Sequence, residues 1–68
     1  MFIIASNVII NVDNIEAIYV QNEKLCCETG HGVYELKDIP DNTLQQVAGA
    51  LAEGKKYLEL EDAKQVRG

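Results

Sequence analysis

The chain has no tryptophan, one histidine, one proline, two cysteines and only six lysines and arginines against eleven aspartates and glutamates. Each shortage removes a class of function. Binding to a phosphate backbone draws much of its affinity from counterions released by Lys and Arg. At a net charge of −5 the chain lacks that basic surface, so neither nucleic acid nor an anionic membrane is expected as a partner. The two cysteines, Cys26 and Cys27, are adjacent. A secreted disulfide scaffold spreads more of them along the chain, so a reducing, cytoplasmic setting is expected. The opening Met1-Phe2-Ile3-Ile4-Ala5-Ser6-Asn7 lacks the basic stretch of a signal peptide. No apolar run approaches the ~20 residues of a membrane-spanning helix.

What is present is ordinary for a globular protein: 47% apolar and 25% charged residues over 68 positions. That length allows one core, expected over residues 1–61 as a single domain, with a polar, frayed tail over 62–68. Chains this short bury only about 60% of their unfolded surface. They commonly draw on a disulfide, a metal or a partner chain, so self-association is expected before any motif is read.

Phe2 to Val12 is apolar and β-branched, interrupted at Ser6-Asn7. It reads as strand, turn, strand, with Asn able to take a left-handed turn conformation. These strands do not alternate with polar residues, and a strand apolar on both sides is usually covered on both sides. One helix covers one face, so a second copy of the chain is expected over the other. Phe2, Ile4, Ile9 and Tyr19 are the candidate self-association surface.

Asp13-Asn14 signals a turn. Ile15 to Val20 reads as a strand with Ile18 and Val20 on one face and Ile15, Ala17 and Tyr19 on the other. Lys24 to Thr29 is a fourth strand. Gly30-His31-Gly32 is a turn in which glycine supplies positive φ. Val33 to Lys37 is a fifth strand, with Tyr34 and Leu36 on one face. Asp38 or Asp41 is expected to cap a helix whose first turn holds Pro40. Leu44, Val47, Ala48 and Leu51 make its apolar stripe, and Gly54 its C-terminal stop. Gly49 either permits close approach to the sheet or is an exposed, tolerated residue. Tyr57 to Glu61 alternates as a last strand, with a short helix as the alternative. The predicted class is α+β: a mostly antiparallel sheet of five or six short strands with one amphipathic helix near the C-terminus.

Few constellations could carry chemistry. Cys26, Cys27 and His31 could supply zinc ligands, but adjacent strand residues point to opposite faces, zinc spacing is absent and no fourth ligand is near. Cys27 is expected in the core beside Leu25, with Cys26 outward beside Lys24 and Glu28; the reverse assignment stays open. An outward Cys26 could be redox-sensitive, although no neighbour lowers its pKa. His31 sits at a turn tip without the second partner that a general base needs. No metal site, cofactor site or catalytic residue is expected. Glu59, Glu61 and Asp62 read as a charged face on an edge strand, or as an acidic docking surface for a basic protein partner.

Asn11-Val12-Asp13-Asn14-Ile15-Glu16-Ala17-Ile18 followed by Thr29-Gly30-His31-Gly32-Val33-Tyr34-Glu35-Leu36 resembles the small bacterial FlbD-type flagellar proteins. More loosely, it is similar to part of the LytTR-type DNA-binding domain. The likeness covers about half the chain and implies a hairpin-rich sheet closed by a helix. The chain departs in its uncharged apolar opening and its shortage of basic residues, and no site residue follows from the likeness.

The expected function is a small, non-enzymatic protein-interaction module that forms a homo-oligomer through its apolar N-terminal hairpin. The alternative is an accessory regulator that binds a protein partner through its acidic face or a free sheet edge. A nucleic-acid binder rests on the LytTR-like stretch alone.

Overall fold

Alternation of apolar side chains along short β-branched segments sets the architecture. A computed structural model of the chain describes residues 1–66. The elements run β1 (Phe2–Ile4), β2 (Ile9–Asn11), a 3-10 turn (Val12–Asn14), β3 (Ala17–Gln21), β4 (Lys24–Thr29), β5 (Gly32–Lys37), α1 (Thr43–Ala52), β6 (Tyr57–Glu59) and β7 (Lys64–Gln65). The fold is α+β, but the strands divide between two sheets, ordered β2-β1-β6 and β3-β4-β5-β7. All pairings are antiparallel except β1 with β6. The helix lies mid-chain rather than near the C-terminus, because two more strands follow it.

The two sheets share one core. Ile3 and Ile10 from the first meet Leu25, Cys27 and Leu36 from the second, and Val47, Leu60 and Ala63 complete the cluster. Burial of a large aliphatic side chain stabilises by about 1.5–3 kcal/mol, so these residues dominate the folding free energy. The helix touches β6 and β3, one strand from each sheet.

The helix is rotated from the expected stripe. It buries Thr43, Val47 and Ala50, while Leu44 and Leu51 stand exposed. Residues 43, 47 and 50 have the same helical spacing as the stripe read from sequence. Thr43 can be 1% exposed because its hydroxyl donates to the Pro40 carbonyl at 2.6 Å. Neither Asp38 nor Asp41 is the cap: Asn42 is, and Asp38 takes a left-handed φ of 57° in the preceding turn. Gly54 stops the helix as expected, with φ 69°. Lys55 and Gly54 donate their backbone N–H groups to the carbonyls of Ala50 and Leu51. Gly49 is exposed, and a Cβ there would meet nothing within 4 Å, so it marks no close approach.

Asn7 has another role than a left-handed turn. It is absent from the positive-φ residues, and its side-chain amide works as a backbone mimic. Its Oδ1 accepts from the Gln65 N–H at 2.7 Å and its Nδ2 donates to the Gln65 carbonyl at 3.3 Å. Ser6 donates its N–H to the Ala63 carbonyl at 2.8 Å. These bonds hold the segment expected to fray: Ala63 is fully buried and β7 pairs with β5. Arg67 and Gly68, the end of the expected tail, lie outside the described residues. The β4–β5 turn is likewise built on a side chain. The Thr29 hydroxyl accepts from the N–H groups of His31 and Gly32, and Gly30 is not left-handed.

Asn7→Ala is expected to destabilise the fold by about 1–2 kcal/mol, the net worth of two hydrogen bonds. Urea unfolding checks the magnitude. Amide exchange checks the location, with protection at Gln65 falling first; unchanged protection there would refute the clamp.

Candidate functional site

The register of the first sheet fixes one candidate surface. β1 is the central strand, with Phe2 opposite Asn11 and Tyr57, Ile3 opposite Ile10 and Leu58, and Ile4 opposite Ile9 and Glu59. Directly opposite residues share a face, and faces alternate along a strand. Ile3, Ile10 and Leu58 therefore point to the core, and Phe2, Ile4, Ile9 and Tyr57 point away from it, bordered on the same face by Asn11 and Glu59. On that outer face Ile9 is 65% exposed, Tyr57 54% and Phe2 46%, with Ile4 half-buried. Scattered exposed apolar residues are normal, but four neighbours on one bare sheet face form a patch.

Three of the four residues proposed from sequence for self-association, Phe2, Ile4 and Ile9, share this face. Tyr19 does not: it lies on β3 in the other sheet, opposite Cys26. Tyr57 takes its place, a residue sequence reasoning put on a strand without linking it to the hairpin. The missing information was the parallel β1–β6 pairing, which joins residues 55 positions apart.

The acidic candidates gather differently. Glu59 ends β6, and Glu61 and Asp62 occupy the turn after Leu60. Together with Asp38 they line an open groove of about 470 Å³ floored by Ile39, Pro40 and Leu60. Among the described residues none of these four carboxylates is in an ion pair.

The Cys26-Cys27 pair splits between faces as read from sequence. Cys27, with Leu25, lies in the core; Cys26 is on the opposite face between Tyr19 and Glu35. Cys26 is not exposed, however: neighbouring side chains leave it 3% accessible. Burial first, then the Glu35 carboxylate, raises its thiol pKa above the ordinary value, against weaker lowering by the Gln21 backbone and Lys24. Burial pushes the Cys27 thiol up to about 11, with Cys26 adding to the shift. Burial and the nearby Glu28 likewise raise the Tyr19 phenol.

His31 lines an open cleft of about 650 Å³ with Asn11, Asn14, Thr29 and Tyr34. The Thr29 hydroxyl there donates to the Gly32 carbonyl at 3.1 Å and braces the turn. Among the described residues no group of three His, Cys, Asp or Glu side chains is placed to hold a metal ion. Nor is any helix long and apolar enough to cross a membrane.

Cys27 is expected to react with a disulfide reagent at pH 8 roughly 100-fold slower in the native protein than in urea, because only the thiolate attacks, and Cys26 is expected to be slowed in the same direction. The alkaline side follows from the sign of the Cys27 shift. Its folded pKa of about 11 exceeds the ordinary 9.0, so the neutral thiol's contribution is intact below pH 9 and is lost as pH rises towards 11. Unfolding free energy measured across that window should fall more steeply in the natural chain than in Cys27→Ala. Equal slopes would contradict the burial.

No protein-family model, no curated protein and no solved structure matches this chain.

Proposed function

We propose that this chain is a small, non-enzymatic interaction module of the cytoplasm that self-associates through the outer face of β1, β2 and β6. The observation that carries the reading is the bare patch of Phe2, Ile4, Ile9 and Tyr57, apolar residues on a strand set whose other side already fills the core. Two buried, unpaired thiols suit a reducing compartment.

Magnitudes indicate a weak oligomer. Covering eight partly exposed side chains across two copies yields on the order of 8 kcal/mol, at about 1 kcal/mol each. Association costs an estimated 4–15 kcal/mol in lost freedom and ordering. The difference is at most about −4 kcal/mol, which corresponds to millimolar or weaker affinity through this face alone, with assembly depending on local concentration.

A second reading has its own observation. The unpaired carboxylates of Asp38, Glu59, Glu61 and Asp62 around one groove suit an accessory regulator that holds a basic segment of a partner protein. Ionic strength separates the two. Salt screens the mutual repulsion of chains at net charge −5 and strengthens apolar self-association, whereas it weakens capture of a basic segment.

In sedimentation from micromolar up to about millimolar concentration, the weight-average mass should rise with concentration and rise further with salt. Ile9→Glu, at a 65% exposed position, should weaken association while the chain stays folded. A monomer at every concentration and salt would remove the self-association reading.

A further inference from the structure

Strand edges are the other unpartnered surface, and natural sheets blunt them with charge, proline or brevity. Three of the four edges here follow that rule: β6 carries Glu59, β7 carries Lys64, and β2 ends after three residues in a 3-10 turn. β3 does not. Its five residues, Ala-Ile-Tyr-Val-Gln, hold no charge and no proline, and among the described residues they pair only with β4.

We propose that this open edge pairs antiparallel with the same edge of a second copy, about a two-fold axis at Tyr19. The inference rests on the self-association reading and assigns it a second contact, separate from the bare sheet face.

Backbone geometry fixes the register. Gln21 and Lys24 flank a two-residue turn in which Asn22 and Glu23 both have positive φ, 53° and 63°. Such a turn makes its flanking residues a hydrogen-bonded pair. Gln21, Tyr19 and Ala17 therefore bond to β4, and the N–H and C=O groups of Ile18 and Val20 point to the open edge. With the axis at Tyr19, Ile18 meets the second copy's Val20 and each pair exchanges two bonds, four in all. The edge is thus complementary to itself, as a two-fold interface requires. Tyr19 meets its own copy as a close, non-hydrogen-bonded aromatic pair. Glu16 and Glu23 fall outside the five paired positions, so no carboxylates face each other across the axis.

Apolar surface flanks the edge. Val20 is 46% exposed although it lies on the core side of β3. On the helix, Gln46 borders the groove beside β6. Leu44 and Leu51 lie on the helix's opposite flank, towards β3, the other strand that the helix touches. An arriving strand would cover all three exposed aliphatic side chains.

The test is a symmetric cross-link. Tyr19→Cys is made in a Cys26→Ser background, because position 19 faces Cys26 across the hairpin. Mild oxidation should yield a disulfide-linked dimer at least roughly ten-fold faster than Ala17→Cys in the same background, whose cysteines would sit about 14 Å apart in this register. In the otherwise natural chain, Val20→Lys at an exposed position should lower association roughly ten-fold in sedimentation. Equal cross-linking rates for positions 19 and 17, or association indifferent to Val20→Lys, would overturn the edge pairing. Loss of association in Ile9→Glu without the position-19 cross-link leaves the sheet-face reading standing alone. The cross-link with an inert Ile9→Glu leaves the edge standing alone.

Discussion

The pleat of a three-residue strand is the constraint on which the rest depends. β1 is paired on both sides, so its side chains have only two directions available. Ile3 goes inward and is fully buried; Phe2 and Ile4 go outward, Phe2 exposed and Ile4 half-buried. The same alternation sends Ile10 in and Ile9 out on β2. A hairpin apolar at every position of β1 and at both Ile9 and Ile10 of β2 cannot satisfy both directions with one core and one helix. The helix is committed elsewhere, between β6 and β3.

Polar side chains do the joining that a larger core would do in a longer protein. Thr43, buried in the helix's first turn, gives its hydroxyl to Pro40. Thr29 accepts two backbone N–H groups and closes the β4–β5 turn. Asn7 offers the acceptor and donor of a peptide group and extends the β7 pairing by one false residue. No buried side-chain N or O atom among the described residues lacks a partner, so the thin core carries no desolvation penalty of that kind.

These contacts also mark where sequence reading succeeds and where it stops. Strand existence was legible wherever apolar residues alternate: Leu25 and Cys27 on β4, Tyr34 and Leu36 on β5, Leu58 and Leu60 near the end. The helix stop at Gly54 was legible because only a left-handed residue suits it. The helix's buried face was not, since the choice between Leu44/Leu51 and Thr43/Ala50 depends on what lies beneath and on a hydroxyl finding the Pro40 carbonyl. The division into two sheets was invisible for a related reason. Nothing local announces that β1 takes its second neighbour from residues 57–59. The candidate patch inherited that gap. Its hairpin members followed from two-sided apolarity, while Tyr57 followed only from the long-range pairing that displaced Tyr19 from the group.

That pairing has a consequence for how the chain comes into being. The opening hairpin cannot be completed until β6 lies alongside β1 and Gln65 reaches Asn7, 58 positions away. At ribosomal speeds of about 5–20 residues per second, the interval between the first strand and its last neighbour lasts roughly 3–10 s. Throughout it, the greasiest segment of the molecule is wetted on both sides and adhesive towards other nascent copies. Closing so long a loop is entropically slow as well. The protein's most vulnerable moment is therefore its own birth, when β1 must wait for a neighbour made 55 residues later.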